Sequence, residues 1–265
     1  MAEGDTIHRL ARRLERALAG RRLVSATAPS AASPLRLRPE RLAALRGASL
    51  TGAEARGKHL LLHFDDELAL HCHLGMSGSW RVRREGERWP RVVAGAWLVL
   101  GAEGIEAAQF GGSRLALRTE AELRSDRRLA ELGPDPLAKG FTANLGLAAL
   151  RATDQSRALG EALLDQRVIA GIGNVYKSEG CHAAWLSPWR PLAELTDDDL
   201  VRAITETGAL MRSGLERGRQ PHRIYRRAGG PCPRCATTIR SGGQGDVNRT
   251  TYWCPGCQGS VSGPR

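Results

Sequence analysis

The stretch DQRVIAGIGNVYKSE, residues 165–179, contains two glycines, Gly171 and Gly173, between two segments with helical patterns. The glycines allow a tight turn whose backbone N–H groups point outward at the start of the next helix, where Asn174 adds a side-chain donor. A turn of this kind can hold a phosphate group. The same pattern also occurs in helix–helix turns that have no function, so this stretch alone leaves both interpretations open.

Four cysteines near the C-terminus have the spacing of a structural zinc site. The sequences CPRC and CPGC are separated by eighteen residues. Each C-x2-C pair supplies two thiolates from one tight turn, and two such pairs complete a tetrahedron around Zn²⁺. Two disulfides or four unrelated thiols are the alternatives, but no secretory context accompanies them. We predict one structural zinc ion, bound by Cys232, Cys235, Cys254 and Cys257.

The charge of the chain indicates a polyanionic partner. Its 265 residues include 39 Lys and Arg against 28 Asp and Glu, a net charge of +11. Such an excess favours nucleic acid, although an arginine-rich codon bias with a solvated surface would give the same count. Only Lys58, Lys139 and Lys177 are lysines. Since lysine is a compact charge that can exchange its proton, these positions are candidates for specific roles.

No segment has the pattern of a membrane span or of a secretion signal. No apolar run approaches the ~20 residues that cross a bilayer, and residues 1–20 lack an uninterrupted apolar core. The two remaining cysteines, Cys72 and Cys181, are expected to be buried small side chains rather than disulfide partners. These features predict a reducing, cytoplasmic location.

The periodicity of apolar residues changes along the chain. Residues 5–19 predict an amphipathic helix, and residues 21–118 contain short apolar runs broken by turn signals, as in an antiparallel sandwich or barrel. The sequence LGPDP at 132–136 then interrupts the pattern. Beyond it the pattern is helical, with predicted helices at 143–152, 157–165, 175–184 and 197–217.

Together these segments resemble the formamidopyrimidine-DNA glycosylase/endonuclease VIII family. The similar motifs occur in family order over nearly the whole chain. They are EGDT (3–6), RGKHLLL (56–62), HLGMSG (73–78), LGPDP (132–136), the stretch 165–179, and RTTYWCPGCQ (249–258).

The resemblance implies a multi-domain α+β fold. We expect an N-terminal antiparallel β-sandwich with an N-terminal helix, then a helical helix-two-turn-helix domain and a C-terminal zinc-finger β-hairpin. The expected bounds are 1–125 for the catalytic sandwich domain, 126–141 for a linker, 142–225 for the helical DNA-binding domain and 226–265 for the zinc finger.

The resemblance also implies an activity, that of a base-excision-repair DNA glycosylase with AP lyase activity. Such an enzyme removes oxidised bases and cleaves the strand by β/δ-elimination through a Schiff base at its N-terminal amine. Its partner would be double-stranded DNA containing damaged bases or abasic sites. We expect a nucleoid-associated monomer that does not bind membranes.

Individual roles follow from the matched motifs. Ala2, Glu3 and Lys58 would be catalytic, with Glu3 as the general acid that protonates the opening deoxyribose O4′. Met76 would enter the base stack when the damaged base is flipped out. Phe110 is a further candidate wedge. The residues expected to bind DNA are His73, Met76, Asn174, Tyr225 and Arg249.

Residue 2 departs from the family pattern, in which an N-terminal proline is the nucleophile. Alanine also offers a free α-amine once Met1 is removed. The pKa of such an amine is about 7.7–8.0, against about 10.4 for lysine, so a useful fraction is unprotonated at neutral pH. Alanine lacks proline's restricted geometry, which predicts lower or altered lyase activity.

Several functions therefore stay open. A DNA-damage or abasic-site binder with impaired chemistry would share the fold, and charge and zinc alone would also suit an RNA-associated or ribosome-associated protein. The short stretch 217–225, the start EGDT and the run 176–180 favour the endonuclease VIII branch and oxidised pyrimidines. The motif HLGMSG instead resembles the branch specific for 8-oxoguanine and formamidopyrimidines.

Overall fold

The computed structural model of the chain describes residues 2–89, 91–246 and 248–259. The chain divides into two compact units. The first contains residues 1–2 and 6–130, and the second contains residues 3–5 and 131–265. The short segment 3–5 therefore belongs with residues that follow it by more than a hundred positions.

The first unit is an antiparallel sandwich of two four-stranded sheets. The strand order is β1-β6-β7-β5 in one sheet and β2-β3-β4-β8 in the other. The elements are α1 (Gly4–Leu18), β1 (Leu23–Thr27), α2 (Pro39–Ala44), β2 (Leu50–Arg56), β3 (His59–Phe64), β4 (Leu68–His73), β5 (Ser79–Arg84), β6 (Leu98–Ala102), β7 (Ile105–Phe110), β8 (Arg114–Thr119), α3 (Glu120–Arg124) and α4 (Arg127–Ala130), with short 3-10 turns at Pro34–Leu37 and Val93–Gly95.

The core of this unit contains side chains from both sheets and from α1. Leu60 and Leu100 come from opposite sheets, Ile7 and Leu14 come from the helix, and all four are fully buried. The apolar stripe of the helix thus faces the sheets while its arginines face outward. The predicted sandwich with an N-terminal helix is confirmed.

The second unit is helical and contains an antiparallel hairpin near its end. All four predicted helices are present, within two residues of the predicted starts. The long helix α8 begins at a capping box made by Thr196 and Asp199 and ends at Gly218, whose φ is 73°. The elements are α5 (Ala143–Arg151), α6 (Leu159–Leu164), α7 (Asn174–Ala183), a 3-10 turn (Leu192–Glu194), α8 (Asp197–Arg217), β9 (Arg240–Gln244), β10 (Arg249–Trp253) and α9 (Pro255–Gln258).

The predicted linker, 126–141, is partly helical. Helix α4 lies inside it, and the boundary between the compact units follows Ala130. The finer division at 125, 141 and 225 stays a prediction. Among the described residues, no helix is both long and apolar enough to cross a membrane.

Candidate functional site

The carboxylate of Glu3 lies at the N-terminus of α7, and the side chain is fully buried. Its Oε2 accepts hydrogen bonds from the backbone N–H groups of Gly173 (3.0 Å) and Tyr176 (3.3 Å), and its Oε1 accepts one from Val175 (2.9 Å). A helix N-terminus favours an anion because its first N–H groups have no partner within the helix. Three donors therefore fix the position of this acid within the second unit.

The glycine turn before α7 makes room for that carboxylate. A Cβ atom on Gly173 would lie 2.3 Å from Glu3 Cδ. The backbone N–H of Gly4 also donates to the carbonyl oxygen of Gly171, at 2.9 Å. The N–H groups that could have bound a phosphate are thus occupied by an acid of the chain itself, which corrects that interpretation of the glycines.

In the first unit, Ala2 and Met76 line one cavity of about 350 Å³, together with Thr6, Trp80 and Arg81 among others. Met76 is 64% exposed, which is unusual for a large apolar side chain. The structure therefore brings together the expected nucleophile and the expected stack-entering side chain, 74 residues apart in sequence.

Phe110 does not have the exposure that a wedge needs. It is only 5% exposed, and its ring packs edge-on against Trp89 with the guanidinium of Arg91 over it. Gln109 beside it is fully buried. The burial of Phe110 could not be predicted from the sequence, because an apolar residue at a strand end gives the same pattern whether its ring points inward or outward.

His73 lies at the end of β4, and the contacts of its ring fix the hydrogen-bonding role of each nitrogen. The N–H of Gly75 donates to Nδ1 (3.2 Å), and the hydroxyl of Ser113 lies 2.6 Å from the same nitrogen. The neutral ring therefore carries its hydrogen on Nε2, which can donate to an anion. Burial, followed by the charges of Lys58 and Arg114, lowers the pKa of His73.

Lys58 lies in the turn between β2 and β3 rather than on a strand. Gly57 before it has a φ of 58°, which a β-strand does not allow. The turn places the ammonium close enough to His73 for its charge to affect the pKa of that ring. An expected catalytic residue and an expected DNA-binding residue are therefore neighbours in the first unit.

A pair of histidines that the sequence did not single out lies beside His73. His59 Nδ1 and His71 Nε2 are 2.8 Å apart, and the rings of His59 and His73 are 4.9 Å apart. Burial lowers the pKa of His59 to about 3 and that of His71 to about 4, with neighbouring positive charges adding to the effect. Both rings are thus neutral at pH 7, so the positive charge that acts on His73 comes from Lys58 and Arg114.

Three of the expected DNA-binding residues lie in the second unit. The Nδ2 group of Asn174 donates to the carbonyl oxygen of Thr250, at 2.6 Å, so this amide contacts the hairpin. Tyr225 is 6% exposed, and its ring packs edge-on against Tyr252. Arg249 is exposed at the first position of β10. Of the three, only Arg249 presents its side chain openly.

The four cysteines of the two C-x2-C pairs form one cluster, with their sulfur atoms all within 4.8 Å of one another. The separations are 3.4 Å for Cys235 and Cys254, 3.3 Å for Cys235 and Cys257, and 3.8 Å for Cys232 and Cys257. Tetrahedral ligands at a Zn–S distance of about 2.3 Å would be about 3.8 Å apart. The cluster can therefore bind a metal ion, and its geometry fits zinc. Cys72 and Cys181 are buried and free, as expected.

Ser113 and Glu179 are supporting residues that the sequence did not reveal. Glu179 is 1% exposed, and its Oε1 accepts hydrogen bonds from the N–H groups of Ile224 (2.9 Å) and Tyr225 (2.8 Å). It thereby fixes the connector that follows α8. No local sequence pattern distinguishes Glu179 from the neighbouring polar residues Lys177 and Ser178.

Comparisons with known proteins show which family the chain resembles. Two family models match the chain: the formamidopyrimidine-DNA glycosylase N-terminal domain over residues 1–124, and the formamidopyrimidine-DNA glycosylase H2TH domain over residues 132–225. A probable endonuclease 8 2 of Streptomyces coelicolor is 40% identical, covering 97% of this chain and 94% of the relative. Endonuclease 8 1 of Mycobacterium tuberculosis is 34% identical, covering 97% of this chain and 100% of the relative.

Solved structures share the fold. The Lactococcus lactis Fpg in complex with DNA containing an abasic site has a TM-score of 0.84, at 20% identity, covering 98% of this chain and 100% of that one. The same enzyme with an oxidised pyrimidine in its DNA has a TM-score of 0.81, at 21% identity, covering 97% of this chain and 100% of that one.

Proposed function

The chain belongs to the formamidopyrimidine-DNA glycosylase/endonuclease VIII family, and on this basis we propose that it is a base-excision-repair DNA glycosylase with AP lyase activity. The observation that carries the proposal is the cavity shared by Ala2 and Met76. An amine and an exposed apolar side chain on one cavity suit an enzyme that flips a nucleotide out and attacks its sugar.

The proposed nucleophile is the α-amine of Ala2 after removal of Met1. Its nitrogen attacks C1′ of the deoxyribose, a C–N bond forms, and the bond from C1′ to the damaged base breaks as the base leaves with a proton. The C1′–O4′ bond then breaks, O4′ takes up a proton, and the Schiff base that forms at C1′ allows elimination of the 3′ phosphate and afterwards of the 5′ phosphate. An α-amine suits this role because its pKa is about 7.7–8.0.

Glu3 is the proposed general acid. It would deliver a proton to O4′ as the sugar ring opens and would assist the two eliminations. The three backbone donors support this role by fixing the position of the carboxyl group, since a proton donor must be held close to one atom of the substrate.

Lys58 is a proposed catalytic residue whose ammonium faces a phosphate and the reacting sugar, and His73 is the proposed phosphate ligand of the first unit. Asn174, Tyr225 and Arg249 are the proposed phosphate ligands of the second unit. The exposed guanidinium of Arg249 can bind a phosphate through two parallel hydrogen bonds. Asn174 would have to exchange its present partner, the carbonyl of Thr250, for a phosphate. Met76 would fill the space left by the flipped nucleotide.

We propose that the cysteine cluster holds one structural Zn²⁺. Four sulfur ligands leave no open coordination position, so the ion would stabilise the hairpin that presents Arg249 and would not activate water. We further propose a cytoplasmic, nucleoid-associated enzyme that acts as a monomer on double-stranded DNA.

The proposed substrates are oxidised pyrimidines such as thymine glycol or dihydrouracil. The curated relatives named endonuclease 8 and the short stretch 217–225 support this choice. Incision of a panel of lesion duplexes tests it. Strong preference for 8-oxoguanine opposite cytosine would replace this substrate class with the other branch of the family.

Alanine at position 2 supports a second candidate, a damage-binding protein with impaired chemistry. Borohydride trapping on DNA containing an abasic site separates the two. We expect a covalent adduct that maps to Ala2. If wild type gives no adduct under conditions in which the Ala2→Pro variant is trapped, the protein is a binder and the lyase assignment is wrong.

A further inference from the structure

One face of helix α7 is polar and contacts strand β10. Asn174 donates to the carbonyl oxygen of Thr250, and Ser178 Oγ accepts from the N–H of Tyr252 at 3.4 Å. Between them, the Nζ of Lys177 donates to the hydroxyl of Thr251. Positions i, i+3 and i+4 of a helix share one face, so three neighbouring side chains contact three consecutive residues of the strand.

Lys177 is unusual among these contacts because its ammonium is completely buried. Its hydrogen-bond partners are neutral: Thr251 Oγ1, and Gln244 Oε1 at 3.5 Å. The hydroxyl of Thr251 also donates to Gln244 Oε1 (2.7 Å), and Gln244 Nε2 donates to the carbonyl oxygen of Pro188 (2.8 Å). Burying a charge with neutral partners is unfavourable, so a structural role alone would be served as well by an apolar side chain.

The lysine network ends beside the arginine assigned to DNA. In the hairpin register, Gln244 pairs directly with Arg249, and Thr251 follows Arg249 by two residues. The ammonium therefore holds one residue on each strand at the end where Arg249 begins β10. A shift of either strand there would move the guanidinium.

We propose that Lys177 is a positioning residue for Arg249. By binding Thr251 and Gln244, Lys177 fixes the hairpin, and it thereby sets where the guanidinium of Arg249 contacts DNA. The DNA-binding part rests on the proposed function. The ammonium also adds a positive charge behind the phosphate-binding surface. The second of these effects requires the protonated amine.

The burial of Lys177 makes the second effect measurable. Burial lowers its pKa to about 8, and the charged or titratable groups that act on it are Cys181, Glu3, Arg249 and Glu161. The ammonium loses its proton as the pH rises through about 8, so its contribution to DNA affinity is present at pH 7 and lost at pH 9.5.

The test compares Lys177→Met, Thr251→Val and Thr251→Ser with wild type, each loaded with zinc. Amide hydrogen exchange of residues 240–253 without DNA reports the hairpin, and titration with a duplex carrying a tetrahydrofuran abasic analogue reports DNA affinity. We expect faster exchange and about tenfold weaker binding for the Met and Val variants, since each loses a charge-assisted hydrogen bond. Thr251→Ser keeps the hydroxyl group and should therefore show the hydrogen exchange and the DNA affinity of wild type.

Thr207→Val is the matched control, since Thr207 is equally buried but donates to Ala203 within α8. It should leave exchange and affinity unchanged. The affinity of wild type should fall between pH 7 and 9.5 more steeply than that of Lys177→Met. The inference would be wrong if Lys177→Met and Thr251→Val showed unchanged hydrogen exchange and a DNA affinity within twofold of wild type, and if the pH profiles of Lys177→Met and wild type were identical. If Lys177→Met does not fold, the exchange and affinity of Thr251→Val decide the test.

Arg249→Ala separates this inference from the proposed function. If that variant binds DNA as well as wild type, the role of Arg249 is wrong, whereas hydrogen exchange still reports whether Lys177 holds the hairpin.

Discussion

The carboxylate of Glu3 accepts a hydrogen bond from the backbone N–H of Gly173, 170 residues later in the chain. The contact anchors this acid on helix α7, within the second compact unit. It also explains the glycine, since any side chain at 173 would overlap the carboxylate.

Gly173→Ala should displace Glu3. The added Cβ would lie 2.3 Å from Glu3 Cδ. We expect a loss of about 100-fold in lyase rate on abasic DNA, the size of effect that follows a shift of about 1 Å in a catalytic group. Single-turnover kinetics measure it. Gly95→Ala, where a Cβ meets nothing within 4 Å, is the control and should keep full activity.

Ser113→Ala should weaken the hold on His73. The hydroxyl lies 2.6 Å from Nδ1, and its loss frees the ring to rotate. We expect DNA binding weaker by about threefold to tenfold, with KM rising more than kcat falls, because a phosphate contact acts in the ground state as well. Ser156→Ala removes an exposed hydroxyl from a loop of the second unit and should have no effect. Equal affinities for the two variants would contradict the role of Ser113.

Cys254→Ser should abolish zinc binding and DNA binding together. Three remaining sulfurs cannot complete the closed tetrahedron that stabilises the hairpin. Metal analysis and DNA titration test this, and the unfolding transition of the first unit should persist because its core is separate. Cys181→Ala, at a free buried cysteine, should retain one zinc per chain. DNA binding that survives loss of the metal would remove the hairpin from the interface.

The neighbouring histidines His59 and His71 should make the fold sensitive to acid. The folded-state pKa of His59 is lowered to about 3 from its usual 6.5, so unfolding takes up a proton below pH 6.5. Stability is full above that pH and falls as the pH drops towards 3. The free energy of unfolding can fall by at most about 1.4 kcal/mol per pH unit for each such histidine. Urea unfolding at pH 4–7 should show a shallower decline for His59→Gln than for wild type.

The pKa of His63 is shifted in the opposite direction from that of His59, so its effect on stability should have the opposite pH dependence. Glu54 and Glu120 raise its pKa in the folded protein, so its contribution is present below pH 6.5 and is lost as the pH rises through the folded value. His63→Gln should therefore destabilise the protein more at pH 6 than at pH 9. The reverse order would show that the carboxylates do not bind the imidazolium.

Local patterns in the sequence were enough to predict the secondary structure and the cysteine cluster. The amphipathic spacing of α1, the capping residue Thr196 and the two C-x2-C pairs each act within a few residues of one another. Over such short distances along the chain, secondary-structure propensity and short loops determine the structure. The sandwich, the helices and the cysteine cluster were therefore predicted correctly. The motifs in family order supplied the candidate residues.

Tertiary structure decided what those residues contact. Whether the N–H groups before α7 meet a phosphate or Glu3, and whether Phe110 points outward or packs against Trp89, depends on packing between distant parts of the chain. The burial of Lys177 beneath β10 is of the same kind. The sequence by itself determined which chemical groups this protein has and in which elements they lie. Only the folded chain determined their partners, because burial and hydrogen bonding depend on residues that no local pattern brings together.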